Sequence, residues 1–336
     1  MGLPAQSTAP HLSLAGIASQ AQRATLGLRG FAPATPLIES PGLSEQFGCR
    51  VLLKCEQVLP TGSFKLRGAF NKLQELSQEE CALGVVTAST GNHGLALATV
   101  ARRAGVHAHI HATSSASPAK LGAIRALGAG ITLHDTDPLS VEIMARREAE
   151  ASGAVFVSPY NDVDVIAGQG GCAVEILDAE PQVDAVIVSV GGGGLLAGVG
   201  SVLRTLRPRT EVFGVWPANS QGLLYSIRAG HAVEFAETPT ISDGTAGGVE
   251  PGSITITLGR EIGPTPLIVS EDEIIAALRQ MAISERFVLE GAAGVALAGL
   301  AQAAPRVRGG TIVVVLCGRN IQLKKFLDVT KLEQGL

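Results

Sequence analysis

The segment AVIVSVGGGGLLAG, residues 185–198, decides the fold. Its first six residues are a short apolar run rich in β-branched side chains, which predicts a buried strand. Four glycines, Gly191 to Gly194, end this strand, and helical spacing of apolar residues follows from Leu195 to Leu206. Because glycine lacks a Cβ atom, such a loop can surround an anion with backbone N–H groups at the positive end of a helix. A tight strand-to-helix turn that binds nothing explains the pattern equally well.

Strands and helices alternate along most of the chain. Short β-branched runs occupy residues 51–53, 84–87, 107–111, 211–215 and 311–316, and alanine-rich helical segments occupy residues 95–104, 119–127, 171–177 and 271–286. This alternation predicts an α/β fold with mainly parallel sheets buried on both faces. A second glycine loop, ASTGNHG at residues 88–94, also joins a strand to a helix. Because ligands bind beyond the carboxyl ends of parallel strands, we expect both loops to face one crevice.

Composition limits the possible classes of function. The 336 residues are 46% hydrophobic and 17% charged, which suits two lobes and gives no sign of disorder. The net charge is −4 and no basic block occurs, so nucleic acid is not expected as a partner. The five scattered cysteines favour a reducing compartment over disulfides or zinc. We find no secretory signal and no apolar run long enough to span a bilayer, so we expect a soluble cytoplasmic protein without a membrane partner.

Three polar residues are candidates for chemistry. Lys65 lies in PTGSFKLRGA, residues 60–69, although a lone lysine is usually a solvated surface charge. Asn92 and His93 lie in the second glycine loop. The Asn92 amide offers both a donor and an acceptor to a ligand, whereas an isolated loop histidine is more often a packing or hydrogen-bonding residue.

Six motifs occur in a fixed order along the chain. They are SFKLRGA (63–69), STGNHG (89–94), IAGQG (166–170), GGGGLLAG (191–198), EGAAGVA (290–296) and CGRN (317–320). From about residue 35 to the last motif, the series resembles the fold-type II, tryptophan synthase β-like enzymes that use pyridoxal 5'-phosphate (PLP). Within them it resembles the threonine dehydratase/serine racemase branch, and the hydroxyectoine-utilisation dehydratases most of all.

The resemblance implies an architecture of two three-layer α/β/α domains with mainly parallel sheets. Residues 1–55 and 154–336 would form a large PLP-binding domain. Residues 56–153 would form a smaller domain inserted between them, with the cofactor in the cleft. The loop at residues 243–253 has no assigned role.

The resemblance also implies roles for individual residues. Lys65 would attach the cofactor covalently and move the substrate's Cα proton, tasks that need a neutral amine rather than an ammonium. Phe64 would lie behind the cofactor ring, and Asn92 would hydrogen-bond the 3-hydroxyl group of that ring. The cofactor phosphate would bind Gly191, Gly192, Gly193, Gly194 and Leu195, and the substrate carboxylate would bind the loop of Ser89, Thr90, Gly91, Asn92 and His93.

Cys317 and Thr90 depart from the pattern of relatives. Cys317 stands where most relatives have a serine that hydrogen-bonds the pyridine nitrogen. Because a thiol is a poor acid, this nitrogen should stay unprotonated; alternatively, Cys317 is only a small buried residue. Thr90 occupies the position of the second base in racemases, and its methyl group makes racemisation doubtful. The metal-binding acids of serine racemases are missing near Trp216 and Gly222, so we expect no metal of that type.

The function that follows is a PLP-dependent dehydratase acting on an L-3-hydroxy amino acid. The products would be a 2-oxo acid and ammonia, and the partners would be an amino-acid substrate and a second copy of the chain in a homodimer. A racemase or a β-replacement synthase on the same scaffold, and a PLP-binding protein without turnover, are the alternatives. Which 3-hydroxy amino acid is the substrate does not follow from the residues.

Overall fold

A computed structural model describes residues 12–89, 91–114, 116, 118–136 and 138–332. The strands are β1 (Leu37–Glu39), β2 (Arg50–Lys54), β3 (Val85–Ala88), β4 (Ala108–Thr113), β5 (Gly130–His134), β6 (Val155–Phe156), β7 (Ala185–Ser189), β8 (Glu211–Pro217), β9 (Thr265–Val269) and β10 (Thr311–Val315). The helices are α1 (Leu14–Leu28), α2 (Pro41–Phe47), α3 (Lys65–Glu75), α4 (Gln78–Leu83), α5 (Asn92–Ala104), α6 (Pro118–Ala126), α7 (Pro138–Ser152), α8 (Val163–Ala179), α9 (Gly194–Leu206), α10 (Gly222–Ala229), α11 (Ile254–Ile262), α12 (Glu271–Ser284), α13 (Gly291–Ala303) and α14 (Leu323–Thr330).

The larger sheet has six strands in the order β1-β2-β10-β7-β8-β9. All neighbours are parallel except β1, which runs antiparallel to β2. Strand β10 lies between β2 and β7, so that Val313 pairs with both Leu52 and Val186. Strand β7 lies between β10 and β8, and all of its residues are buried. This burial explains why its sequence is mostly apolar.

The smaller sheet has four parallel strands in the order β5-β4-β3-β6, all from residues 85–156. Helices α5 and α7 pack against β3 and β4. Both sheets are mainly parallel, which confirms the α/β fold expected from the sequence. The division into a small domain of residues 56–153 and a large domain around it stays a prediction. Among the helices in the described part of the chain, none is both long and apolar enough to cross a membrane.

Helix α8 is longer than the sequence pattern indicates. The pattern predicts a helix at residues 171–177, whereas α8 runs from Val163 to Ala179. A Cβ atom at Gly168 would lie 2.5 Å from the Arg67 carbonyl oxygen, and one at Gly68 would lie 2.2 Å from Gln169 Nε2. The glycines of these two motifs therefore permit a close contact between α3 and α8 and do not end the helix.

A buried ion-pair cluster joins β2, α3 and α8. Arg67 contacts Glu56 and Glu175, each at 2.6 Å, and Lys54 Nζ also lies 2.6 Å from Glu175. Thr35 Oγ1 donates to Glu56 at 2.7 Å. None of these side chains is more than a few per cent exposed. The arginine of the SFKLRGA motif thus has a structural role, since it neutralises two buried carboxylates.

Candidate active site

A cavity of about 630 Å³ opens where β3 and β7 end in their glycine loops. All but one of the residues predicted from the sequence to form the site line it: Phe64, Lys65, Ser89, Gly91, Asn92, His93, Gly191, Gly192, Gly193, Gly194, Leu195 and Cys317. Thr90 lies outside the described residues. The two glycine loops therefore face one crevice, as expected for loops at the carboxyl ends of parallel strands.

Lys65 is the first residue of α3, and its amine has no carboxylate partner among the described ion pairs. Its Nζ atom donates to the Pro159 carbonyl oxygen at 2.7 Å and lies 5.1 Å from the centre of the Phe64 ring. Burial lowers the pKa of Lys65 to about 8, although the Cys317 and Glu290 side chains act in the opposite direction. About a tenth of this amine is therefore neutral at pH 7 and about half at pH 8, and the neutral form can act as a nucleophile or a base.

The glycine loop leaves no room for side chains. A Cβ atom would lie 2.8 Å from Thr245 Cα at Gly191 and 2.6 Å from the Tyr160 ring at Gly192. Gly193 has a φ of 92°, a conformation that residues with a Cβ atom rarely adopt. The 13-residue helix α9 begins at the next residue. The loop thus places bare backbone at the positive end of a helix, where a phosphate group binds well.

Asn92 belongs to a polar network that the sequence did not predict. Its Nδ2 atom donates to both carboxylate oxygens of Glu290, at 2.8 and 3.0 Å. Asn320 donates from its side chain to Asn92 Oδ1 at 2.6 Å and from its backbone N–H to Glu290 at 3.0 Å. Burial raises the pKa of Glu290, while the hydrogen bonds from Asn92 and Asn320 lower it in part. The Glu290 and CGRN motifs therefore orient the Asn92 amide at the cavity wall.

His93 is buried, and its imidazole is turned into the protein. Its Nε2 atom lies 3.1 Å from the Val157 carbonyl oxygen, and its Nδ1 atom has no hydrogen-bond partner. Burial, together with the charge of Lys65, lowers the pKa of His93 to about 3, so the ring is neutral. The residue before α5 is Gly91, which has no side chain to cap the helix. An anion in the cavity can therefore interact with the first turn of α5.

Cys317 follows β10 and lies at the buried end of the cavity. Ser189 Oγ donates to its Sγ atom at 3.5 Å, and the residue is 1% exposed. Burial and the nearby Glu290 raise the pKa of the thiol far above its usual value. Cys317 is therefore a neutral thiol near neutral pH. The backbone N–H of Phe64 donates to the Cys317 carbonyl oxygen at 3.0 Å, which ties this loop to that of Lys65.

Tyr160 and the loop at residues 243–248 also line the cavity, and sequence reasoning missed both. Burial raises the pKa of Tyr160 to about 12, so its hydroxyl stays protonated, and this hydroxyl accepts a hydrogen bond from Glu250 N at 3.1 Å. The Glu250 side chain in turn binds Arg146 of α7 at 2.7 Å. One signal was present in the sequence: Tyr160 comes shortly after β6, on the side where parallel strands present ligand-binding residues.

Residues 28–318 match the family model described as "Pyridoxal-phosphate dependent enzyme". The chain belongs to this family. Its cofactor is therefore PLP, as the sequence motifs predicted. The residues of the cavity fit this cofactor, because an amine of lowered pKa suits its aldehyde and a loop without Cβ atoms at a helix N-terminus suits its phosphate.

Individual members of the PLP-dependent family are similar over nearly the whole chain. The L-threonine ammonia-lyase of Thermotoga maritima is 38% identical over 88% of this chain and 73% of its own length. The L-threo-3-hydroxyaspartate ammonia-lyase of a Pseudomonas species is 34% identical over 90% and 95%. The processed threonine deaminase isoform 2 of Solanum lycopersicum superposes with a TM-score of 0.87 at 30% identity, over 98% of this chain and 95% of that structure. Maize serine racemase superposes with a TM-score of 0.86 at 26% identity, over 94% and 97%.

Proposed function

We propose that the protein is a PLP-dependent ammonia-lyase that eliminates water from an L-3-hydroxy amino acid, giving a 2-oxo acid and ammonia. The observation that carries the proposal is the state of Lys65. Its amine lines the cavity without a carboxylate partner and has a pKa of about 8. The ammonia-lyase relatives support the type of reaction and the class of substrate.

PLP supplies an electron-withdrawing ring that stabilises negative charge on the Cα atom of a bound amino acid. Lys65 then has two tasks in this chain: it holds the cofactor aldehyde and it takes the Cα proton from the substrate. Phe64 packs beside it and excludes water from one side of the amine. In the described part of the chain Nζ donates to a backbone carbonyl oxygen and forms no ion pair, and the nearby Glu290 offsets the lowering of its pKa by burial only in part.

The glycine loop and Asn92 would hold the cofactor at two places. Gly191, Gly192, Gly193, Gly194 and Leu195 bind the phosphate through the backbone at the start of α9. Asn92, held by Glu290 and Asn320, presents its amide to the ring hydroxyl. Because the Asn92 amide is already held in place, no conformational entropy is lost in ordering it when the cofactor binds.

The start of α5 holds the substrate carboxylate. Ser89, Thr90, Gly91, Asn92 and His93 form this subsite, in which backbone N–H groups at the positive helix end face the anion. Because the His93 ring is neutral, it adds no positive charge that would draw the carboxylate away from the backbone N–H groups. The neutral thiol of Cys317 would leave the ring nitrogen of the cofactor unprotonated, and this would favour loss of the 3-hydroxyl group over other fates of the substrate.

We also propose the wider setting of this enzyme. The small domain is residues 56–153, the large domain is residues 1–55 and 154–336, and the chain acts as a homodimer in the cytoplasm without nucleic-acid or membrane partners. The two separate sheets support a division into two domains, with β6 extending the smaller sheet just past residue 153, and the free cysteines support a reducing compartment.

A racemase is the second candidate function, because maize serine racemase has the same fold at 26% identity. One assay separates the two functions. The purified PLP-bound protein is given L-threonine, L-serine, L-threo-3-hydroxyaspartate and phenylserine in turn, and 2-oxo acid, ammonia and D-isomer are measured. A lyase releases equal amounts of 2-oxo acid and ammonia with at least one of these substrates. D-isomer as the main product, or no product from any of them, would contradict the proposal.

The variant Thr90→Ser tests why elimination is favoured. By the family resemblance residue 90 would lie on the face opposite Lys65, and a serine there lacks the methyl group, so some D-product should appear if that methyl group blocks a second base. If D-product is absent from both proteins while elimination is normal, the methyl group is not what prevents racemisation.

A further inference from the structure

Four histidines lie together on the smaller sheet. His107, His109 and His111 alternate along β4 and the residue before it, and His134 ends the neighbouring strand β5. Because successive side chains of a strand point to opposite faces, the three alternating histidines share one face of the sheet. The ring of His111 lies 5.1 Å from that of His109 and 5.1 Å from that of His134, centre to centre. None of these residues is among those that line the catalytic cavity in the described part of the chain.

Helix α7 adds a carboxylate to this histidine cluster. Glu148 Oε2 lies 3.2 Å from His111 Nε2, and one ligand atom each from His109, His111 and Glu148 lies within 4.8 Å of the others. Ligand atoms around one Zn²⁺ stand about 3–4 Å apart, because each bond is about 2 Å long. The Glu148 side chain is 46% exposed, so it can rotate to close the remaining distance. The three groups are therefore arranged as a partial coordination shell.

The His111 ring carries an unused ligand atom. The residue is 1% exposed, and its buried Nε2 atom forms no hydrogen bond of good geometry, although Glu148 Oε2 lies 3.2 Å away. Its Nδ1 atom lies 2.8 Å from His134 Nε2. If Nδ1 donates its proton to His134, the lone pair of Nε2 is directed at Glu148 and is free to bind a metal. A second group that fixes the ring of a ligating histidine in this way is a usual part of metal sites.

His109 has a fixed orientation as well. Its Nε2 atom lies 2.8 Å from Thr132 Oγ1 of β5. The opposite position on β5 is Gly130, where a Cβ atom would lie 2.6 Å from His109 Nδ1. The glycine thus gives the ring its space, and the threonine determines the rotation of that ring.

We propose that His109, His111 and Glu148 form a binding site for Zn²⁺ or a chemically similar late first-row divalent cation, with water completing the shell. Two imidazoles and one carboxylate suit such cations, whereas Mg²⁺ and Ca²⁺ prefer oxygen ligands throughout. The ion would join α7 to β4 and stabilise the smaller sheet. Because the site is separate from the cavity, it adds to the PLP chemistry and does not depend on the proposed reaction.

The experiment is a titration of the chelator-treated, PLP-bound protein with ZnCl₂, followed by calorimetry and by thermal unfolding. We expect one Zn²⁺ per chain and a melting temperature that rises with the ion. Glu148→Gln and His109→Asn should weaken binding about 100-fold, and His134→Asn about tenfold, because it removes only the orienting partner. Glu150→Gln is the matched control: this carboxylate is exposed on the same helix, and its loss should leave the affinity unchanged.

Titration with Co²⁺ identifies the ligand atoms by visible absorption. A spectrum with metal-centred bands and no thiolate charge-transfer band supports the histidine site, whereas a thiolate band would assign the ion to a cysteine and overturn the proposal. Absence of stoichiometric Zn²⁺ binding, or unchanged affinity in Glu148→Gln, would also overturn it. Since Glu148 lies at the surface, this variant is expected to fold, and its normal turnover without added metal verifies that it has.

Discussion

Two lysines, the buried Lys54 and the half-buried Lys65 of the cavity, show how the surroundings of an amine determine its role. Lys54 lies in the ion-pair cluster, where Nζ contacts Glu175 at 2.6 Å and the Thr35 carbonyl oxygen at 2.8 Å. Lys65 lies in the cavity and donates only to the carbonyl oxygen of Pro159. The first amine is paired with a buried carboxylate. Burial lowers the pKa of the second to about 8, and the nearby Glu290 carboxylate opposes this shift only in part.

Glu175 shows the same rule for an acid. Burial by itself would raise the pKa of its carboxyl group, but Arg67 and Lys54 lower it to about 2. A buried charged group that is paired helps to hold the fold together. A buried charged group that is not paired changes its protonation state easily and can take part in a reaction.

The largest expected effect is that of Lys65→Ala. Removal of both the cofactor attachment and the base should reduce turnover by about 10⁴-fold or more. The Lys65→Ala variant should also lack the visible absorbance of the covalently bound cofactor. Lys72→Ala is the matched control on the same helix, because Lys72 pairs with Asp162 and Asp164, does not line the cavity and should matter little for turnover. Normal turnover in Lys65→Ala would remove this residue from the mechanism.

Glu175→Gln tests the paired lysine, Lys54. It leaves Lys54 and half of the Arg67 guanidinium without a buried counter-charge, so the free energy of unfolding should fall by about 3–5 kcal/mol. Urea denaturation measures the change. Asp178→Asn on the same helix is the control: its partner Arg29 is 3.5 Å away and both side chains are more than half exposed, so the loss should stay below about 1 kcal/mol. Equal losses would mean that the cluster is not a special source of stability.

The acid sensitivity of the protein follows from the same carboxyl group. Its pKa is about 2 in the folded protein and about 4.3 in an unfolded chain. The stability that it contributes is therefore present above about pH 4.3 and lost as the pH falls towards 2. Glu175→Gln should show a shallower loss of stability than the wild type over this range.

The pH dependence of cofactor capture tests the state of Lys65 directly. Only the neutral amine attacks the cofactor aldehyde, so the rate at which the apoprotein binds PLP should rise about tenfold per pH unit below 8 and level off above it. Stopped-flow absorbance at each pH gives the midpoint. A midpoint near 10.5 would show that the cavity does not lower the pKa of this lysine.

The smallest effects are expected at Cys317. Cys317→Asp places a carboxylate near Lys65, as Glu175 is placed near Lys54, so the midpoint of cofactor capture should move upward by about one pH unit. Cys317→Ser keeps a small neutral residue beside Ser189 and should leave the midpoint where it was. If the aspartate variant also keeps its midpoint, the thiol does not lie where a charge can act on the amine.

Much of the fold and part of the site follow from local sequence. The strand, glycine loop and helix from β7 to α9 were predictable, because each has its own period and the glycines mark the turn. The length of α8 was not: Gly168 resembles a helix breaker until its contact with the Arg67 carbonyl oxygen is known. Local patterns do not reveal which glycines provide a turn and which provide a close approach.

The network around Asn92 was beyond sequence reasoning for another reason. Asn92 and Glu290 are 198 positions apart, and their contact depends on both sheets being formed. Tyr160 and the loop at residues 243–248 were missed likewise, because neither carries a motif and both reach the cavity through the fold. The family resemblance named the motif that contains Glu290, but only the structure relates this residue to Asn92.

Strand β10 has a consequence for how the protein is made. It is the last strand of the larger sheet in chain order, yet it lies between β2 and β7 in the middle of that sheet. A ribosome must therefore synthesise the chain past Val315 before β2 can join the rest of the sheet, and Cys317 cannot meet Phe64 any earlier. Until then two apolar strand edges are without their partner, so the nascent chain depends on chaperones or rapid release more than its stable, parallel core suggests.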